Sequence, residues 1–244
     1  MKKRLILLML ASVMIFSTSS VMARSSFGWD VRAMGMGGAF VAVADDINAI
    51  DINPAGLAFL RGSQAEVSFS NADYSGVSEN MLGLEYATQL DNGALGVSLS
   101  RYKYEMDPYY SSTSTNYCVA YGTKIQDNLA VGAHLSKTKS DSSTNFGVSA
   151  LYKDGPQLSY GLLIDSDLTV GAAYRPDRQT VVALDLGNGT SIGVERHLDK
   201  SWIVRAGSDE GEFTFGVGYK IRKDLRLDYA HEAEQNAIAL VTAF

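Results

Sequence analysis

The feature that most constrains the fold is an alternation of apolar and polar residues with a period of two, which begins near Gln64 and continues to the C-terminus. In the stretch 93–100, for example, Leu95, Val97 and Leu99 alternate with Gly and Ser. Successive side chains of a β-strand point to opposite faces, so this pattern predicts strands with one apolar face. About fourteen such segments are separated by polar turns. Their predicted starts lie near residues 64, 80, 93, 115, 128, 144, 157, 167, 179, 190, 201, 211, 224 and 236.

The strands are predicted to form a transmembrane antiparallel β-barrel, with a soluble β-sandwich as the alternative. An even strand count returns the C-terminus to the side where the first strand begins. The connections 71–79, 105–114 and 139–143 are polar and Ser-rich, whereas those at 89–92 and 126–128 are short. Long outer loops and short inner turns are typical of outer-membrane barrels. The predicted fold class is therefore all-β, a closed barrel over residues 63–244.

Aromatic residues recur on the apolar face near the ends of alternate segments. A sandwich gives no reason for this spacing, whereas a barrel places such rings at one membrane interface, where a hydroxyl meets headgroups and the ring meets lipid. The predicted periplasmic aromatic girdle consists of Tyr86, Tyr121, Tyr152, Tyr174, Tyr219 and Phe244.

Charged side chains lie on the opposite face of the predicted strands. A Lys or Arg facing lipid at mid-depth costs about 2–4 kcal/mol, so these residues are predicted to face the lumen. The carboxylates are expected to pair with the arginines, but the sequence does not select the partners. The predicted lumen-facing charges are Glu85, Glu195, Arg205, Arg226 and Asp228.

The N-terminus predicts export. A basic start, an apolar run from Leu5 to Phe16 and small residues up to Ala23 form a predicted signal peptide, residues 1–23, because about 12 apolar residues are too few to cross a bilayer. The expected location is the bacterial outer membrane, in contact with its lipid. The formal net charge of −6 argues against a nucleic-acid partner, and Cys118 is the only cysteine.

Residues 24–62 are predicted to plug the lumen as an N-terminal hatch. A barrel of about fourteen strands is too wide for its own side chains to fill. The Gly- and Ala-rich run lets the backbone approach the barrel wall closely. Two adjacent Asp residues can accept hydrogen bonds or pair with Arg. An Asn-Pro pair is suited to start a short helical turn. The predicted hatch or gating residues are Gly35, Gly37, Gly38, Asp45, Asp46, Asn53, Pro54 and Ala55.

Two stretches carry a resemblance. The run 34–46 (MGMGGAFVAVADD), followed by 53–58 (NPAGLA), resembles the N-terminal signature of the FadL-like outer-membrane proteins, and most nearly that of their PorV/PorQ branch. The stretch 225–230 and the terminal Phe244 are similar to the last two strands of that branch. The resemblance implies a fourteen-stranded barrel with a hatch that gates passage of hydrophobic molecules. The likeness to PorV-type members instead implies an accessory role in protein secretion. It also implies that Phe244 is read by the barrel-assembly machinery.

Three functions remain open from the sequence. The first is a hatch-gated channel or transporter for hydrophobic or small solutes, and the second is a PorV-like docking or accessory barrel with a secreted protein as partner. The third, an outer-membrane lipid hydrolase, has only the G-x-S-x-G match at 189–193, which follows a hairpin turn and lacks the strand-to-helix context of a nucleophile. No enzyme activity, cofactor or metal is predicted, because the three His residues are scattered and two adjacent carboxylates alone are a weak cation site.

Overall fold

The computed structural model describes residues 30–106, 108–140 and 144–244. The predicted signal peptide and residues 24–29 of the predicted hatch lie outside these ranges. Among the described residues, no helix is both long enough and apolar enough to cross a membrane.

Fourteen antiparallel strands form a closed barrel, which confirms the predicted fold class. Each strand pairs with the next in sequence, and the last pairs with the first, for example through Val67 and Leu240. The strands are β1 (Ser63–Tyr74), β2 (Val77–Leu90), β3 (Gly93–Met106), β4 (Tyr110–Gln126), β5 (Leu129–Thr138), β6 (Thr144–Asp154), β7 (Leu158–Ile164), β8 (Leu168–Tyr174), β9 (Thr180–Gly187), β10 (Gly189–His197), β11 (Trp202–Asp209), β12 (Glu212–Arg222), β13 (Leu225–Glu232) and β14 (Gln235–Ala243).

The period-two pattern separates the two faces of the barrel. On β12, Phe213 and Phe215 are exposed on the outer face, while Thr214 between them is fully buried on the inner face. The same arrangement around the barrel gives an outer surface of apolar side chains that are roughly half exposed. Members of this outer belt include Val67, Leu84, Val97, Val119, Leu135, Val148, Val170, Ile192, Val194 and Leu240.

The wall is much taller on one side than the other. Strands β2, β3 and β4 contain 14, 14 and 17 residues, whereas β7 and β8 contain 7 each. The predicted loops 71–79 and 105–114 are therefore largely strand: β1 and β2 pair up to Tyr74 and Val77 and turn through Ser75 and Gly76 alone. Their Ser, Thr and Tyr residues keep strand pairing beyond the apolar belt, because ladder hydrogen bonds do not require apolar side chains.

Residues 30–62, here called the luminal segment, lie inside the barrel. They form helix α1 (Val31–Met34), helix α2 (Ala49–Ile52) and a 3₁₀-helix, η1 (Pro54–Phe59). Helix α1 contacts β12, β13 and β14, whereas η1 contacts β2 to β6 on the other side. Met36, Phe40, Ile47, Ile50 and Leu57 are completely buried and form the core of the molecule. The interior of this barrel is thus filled by its own N-terminal chain.

Candidate functional site

The luminal segment is seated on glycines of the barrel wall. A Cβ added at Gly161 would collide with the carbonyl oxygen of Val41, and one at Gly132 would collide with the backbone nitrogen of Ala55. These neighbours are backbone atoms, so a side-chain rotation cannot relieve the collision. The same close approach occurs at Gly122, Gly193 and Gly207, and a Cβ at Gly171 would lie 2.9 Å from the nitrogen of Ala42.

Polar wall groups satisfy the backbone of the luminal segment where it has no secondary structure. Asp185 accepts hydrogen bonds from the backbone N–H groups of Phe40 and Val41 at 2.7 and 2.8 Å. The hydroxyl of Ser159 donates to the carbonyl of Ala42 at 2.7 Å. Buried backbone groups are costly without partners, so these bonds fix the position of an irregular stretch.

The Asn-Pro-Ala element forms the turn that the sequence predicts. Asn53 is fully buried; its side-chain oxygen accepts from the N–H of Ala55 at 3.2 Å, and Pro54 occupies the first position of η1. The Asn53 amide also donates to the carbonyl of Val41 at 2.6 Å and to that of Ala150 on β6 at 3.2 Å. Asn53 therefore joins two parts of the luminal segment and the wall.

Glycines of the luminal segment have two different roles. Gly37 and Gly38 have φ angles of 61° and 71°, a conformation that other residues rarely adopt. Gly35 instead lies against the wall, where an added Cβ would come within 3.1 Å of the Cα of Gly216.

Alternating charges form a closed ring between the luminal segment and the wall. Arg32 of α1 binds both oxygens of Glu195, with its Nε and Nη2 donating at 2.7 and 2.8 Å. Glu195 also accepts from Arg205 at 2.7 Å, and Arg205 donates to Asp228 at 2.7 Å. These bonds form one half of the ring.

The other half of the ring returns through the predicted aspartates. Asp228 binds Arg226, whose Nη2 donates to Asp46 at 3.1 Å, and Asp46 accepts from Arg32 at 2.9 Å. Asp45 extends the ring: it accepts from Arg32 at 2.7 Å and lies 3.7 Å from Arg175. Four of the five predicted luminal charges and both predicted aspartates therefore belong to one network.

The remaining predicted luminal charge, Glu85, lies in a different place. The expected pairing of Glu85 with Arg205 or Arg226 does not occur. One carboxylate oxygen of Glu85 instead lies within 4.8 Å of oxygens of Asp30 and Asp51. Within the described part of the chain, its Oε2 is buried without a hydrogen-bond partner.

The two groups of carboxylates differ in their electrostatics. Burial alone would raise the pKa of Asp46, but Arg32 and Arg226 outweigh it and lower that pKa below its ordinary value. Burial, reinforced by the charges of Asp51 and other carboxylates, raises the pKa of Asp30 well above its ordinary value. Burial also raises the pKa of Asp51 to about 6.

The aromatic residues lie together at one end of the outer face. All six predicted girdle residues are exposed near the ends of even-numbered strands, which run in the same direction. Tyr86 stacks on Phe244 with ring centroids 6.3 Å apart. The sequence pattern missed Tyr160 and Trp202, which lie at the starts of odd-numbered strands; Tyr160 stacks on Tyr152, and Trp202 contacts Tyr219 with the two rings tilted.

Several residues of the site were not predicted from the sequence: Asp30, Arg32, Asp51, Glu66 and Asp185. Charged residues within the small-residue run 30–62 and on the inner faces of β1 and β9 were the available signal, because a buried charge requires a partner. The G-x-S-x-G match, in contrast, is strand throughout: Ser191 lies in β10 and donates to Asp209 at 2.7 Å.

Comparisons with solved structures identify the fold. The Ralstonia pickettii toluene transporter TbuX superposes with a TM-score of 0.70 at 12% identity, over 90% of this chain and 99% of that one. The P. putida toluene transporter TodX gives 0.66 at 13% identity, over 87% and 97%. A Pseudomonas aeruginosa FadL homologue gives 0.61 at 11% identity, over 86% and 96%. No protein-family model and no curated protein sequence matches the chain. The barrel thus has the fold of FadL-like proteins.

Proposed function

We propose that the protein is a bacterial outer-membrane channel for hydrophobic or small solutes and that its luminal segment is the hatch that gates passage. The observation that carries the proposal is the seating of residues 30–62 inside a barrel whose outer belt is apolar. A soluble protein buries such a belt, whereas lipid accommodates it.

The surface of the barrel supports a membrane location. The outer belt ends in aromatic rings at the edge where the short turns lie, as expected at a membrane interface. That edge also carries the C-terminus, where the backbone of Phe244 pairs with Ser63. Export by a cleaved signal peptide and recognition of Phe244 by the barrel-assembly machinery are parts of the same proposal.

The interior supports gating by the luminal segment. The segment blocks the lumen, yet much of its attachment to the wall consists of ion pairs and single hydrogen bonds rather than covalent or strand connections. Such contacts can be exchanged for water when the segment moves. The solved structures of the same fold include toluene transporters and a "monoaromatic hydrocarbon channel", which favours a small apolar solute.

The test is conductance and solute flux across reconstituted bilayers. Wild-type protein is expected to conduct little, and deletion of residues 30–60 is expected to give a stable large conductance. Vesicles with lipopolysaccharide in the outer leaflet, which retards apolar solutes, should take up toluene faster with the intact chain than without protein and take up glucose no faster. Equal conductance of the folded deletion variant and wild type would contradict the hatch, and equal toluene uptake with and without protein would contradict transport.

A second candidate is a docking or accessory barrel for a secreted protein, related in role to the PorV/PorQ branch. The observation that favours it is the tall wall of β1 to β4, whose tip exposes Tyr74, Tyr109 and Tyr110. Exposed Tyr is favoured at protein interfaces. Native mass spectrometry of protein extracted from its own membrane separates the two functions: a bound hydrophobic molecule supports the channel, and a stoichiometric polypeptide supports docking.

A further inference from the structure

The interior holds two groups of buried charges, one neutral and one acidic, in addition to Asp185, which accepts from the backbone of Phe40 and Val41. Four arginines and four carboxylates balance in the ring and its extension through Asp45. Four further carboxylates form no ion pair within the described part of the chain, and they lie together on the side of β1 to β4. They are Asp30, Asp51, Glu66 and Glu85.

Strand register explains why the wall residues of the acidic group meet. Glu66 of β1 is directly opposite Glu85 of β2, and Glu85 is opposite Ser98 of β3. The three side chains therefore form a row across the inner face. The luminal segment brings Asp51 onto this row, where it accepts a hydrogen bond from Ser98 at 3.1 Å.

The environment of Asp30 is independent evidence that the acidic group binds a ligand. Asp30 is only 2% exposed, and among the described residues no N–H or alcohol group donates to either of its oxygens, whose hydrogen-bonding neighbour is the carboxyl group of Glu85. Although it precedes α1, it makes no capping hydrogen bond. Oε1 of Glu66 and Oε2 of Glu85 are likewise buried without a donor. Buried carboxylate oxygens normally have partners, so this concentration of unpartnered oxygens is compensated either by protons shared between the carboxyl groups or by a bound cation.

We propose that Asp30, Asp51 and Glu85 bind a divalent cation, with Ca²⁺ as the preferred ion, and that this ion ties the luminal segment to the barrel wall. One oxygen from each carboxylate lies within 4.8 Å of the others. Oxygens on opposite sides of a Ca²⁺ ion are about 4.6–5.2 Å apart, because each Ca–O bond is 2.3–2.6 Å long. Three oxygens at this spacing surround a position at coordination distance with little movement.

The donor set also favours a hard cation. The ligands are carboxylate oxygens, which Ca²⁺ prefers, and the neighbouring carboxylate of Glu66 adds negative potential. Asp30 and Asp51 belong to the luminal segment, whereas Glu85 belongs to β2. A bound ion therefore bridges the moving and fixed parts beside the charge ring, because only β14 and β1 separate β2 from β13.

The test measures cation binding directly and does not depend on transport. The full chain is refolded into zwitterionic detergent without lipopolysaccharide, treated with EDTA, dialysed and titrated with CaCl₂ by calorimetry. We expect one Ca²⁺ per chain, and we expect Asp30→Asn with Glu85→Gln to weaken binding by at least about tenfold, because two of three charged ligands are removed. Both replacements keep the side-chain shape, so the variant should fold.

Glu105→Gln is the matched control, because the Glu105 side chain is 40% exposed near the tip of β3 and pairs with Lys103 at 2.7 Å. It should bind Ca²⁺ as wild type does. Absence of Ca²⁺ binding to folded wild type would overturn the proposal and show that the cluster holds protons instead. Equal affinity of the double variant and wild type would place any bound ion elsewhere and would also overturn it.

Discussion

Replacement of Arg32 by Met tests whether the charge ring holds the luminal segment in place. The guanidinium is buried, with its side chain 8% exposed, and it contacts Glu195, Asp45 and Asp46 at once. Removing one partner of a buried ion pair costs about 3–5 kcal/mol. Because the ring leaves Glu195 its bond to Arg205, we expect the lower value, about 3 kcal/mol.

That free energy acts only on the seated state, because Arg32 is hydrated once the segment leaves the wall. A change of about 3 kcal/mol corresponds to roughly a hundredfold change in an equilibrium constant. The fraction of channels with a displaced segment should therefore rise about a hundredfold in Arg32→Met. Single-channel recording in planar bilayers measures this fraction as the probability of the high-conductance state.

Arg196→Met is the matched control, because the Arg196 side chain is 52% exposed and reaches Asp177 only at 3.9 Å. An exposed pair of this kind contributes about 0–1 kcal/mol. The control should keep the wild-type open probability. If Arg32→Met folds in normal yield and opens no more often than Arg196→Met, the ring does not hold the segment and the reasoning is refuted.

Three further predictions concern the seat, the belt and pH. Gly161→Val should destabilise the seated segment by about 1–3 kcal/mol through overpacking against Val41, raising open probability, whereas Ala172→Val on the outer face should not. Val119→Arg, in the belt, should lower the free energy of unfolding in lipid vesicles by about 2–4 kcal/mol; Thr113→Arg on the same strand and face, beyond the belt, should cost about 0–1. Equal losses of unfolding free energy in the two variants would refute the assignment of Val119 to a lipid-facing position. Because the pKa of Asp46 is lowered, ionised Asp46 stabilises the seated segment fully at any pH above 3.8, its ordinary pKa. This stabilisation is lost as the pH falls further. With EDTA present, open probability should not rise between pH 7 and pH 5, because protonation of Asp51, whose pKa is raised to about 6, favours the seated state, and it should rise below 3.8; more frequent opening at pH 5 than at pH 7 would contradict this.

The barrel was predictable because its signal is local. Alternation with period two repeats in each strand, and the predicted strand starts agree with the structure to within five residues, the largest difference being at β4. That difference arose because the polar residues 110–114 were interpreted as loop. Strand pairing depends on the backbone, so a polar sequence can continue a ladder beyond the apolar belt.

The arrangement of the interior was less predictable because its contacts join distant parts of the chain. Arg32 and Glu195 are 163 residues apart, and nothing near either residue indicates the other. The wall glycines appeared in the pattern only as small inner-face residues. Their role depends on which backbone atoms of the luminal segment lie opposite, as Ala55 does at Gly132, and that is a property of the assembled barrel.

The two ends of the luminal segment are held by different sets of contacts, which predicts how it moves. Helix α1 is attached through Arg32 of the charge ring in addition to the close packing of Met36 on Gly193 and Gly207, whereas η1 lies against Gly122 and Gly132 with its backbone at close range. Loss of Arg32 should therefore release α1 and leave η1 seated. Met34→Cys in α1 and Leu57→Cys in η1 report which end of the segment becomes exposed. Both native side chains are buried, and cysteine is smaller than either, so each variant should fold.

The two cysteines are introduced separately in a Cys118→Ser background, with and without Arg32→Met, and are labelled with a membrane-impermeant maleimide. EDTA is present so that the cation proposed at Asp30 does not hold α1. We expect Arg32→Met to speed labelling at position 34 and to leave position 57 protected. Equal acceleration at both positions would mean that the segment leaves the wall as one body, and the division of forces between its two ends would then have no part in opening.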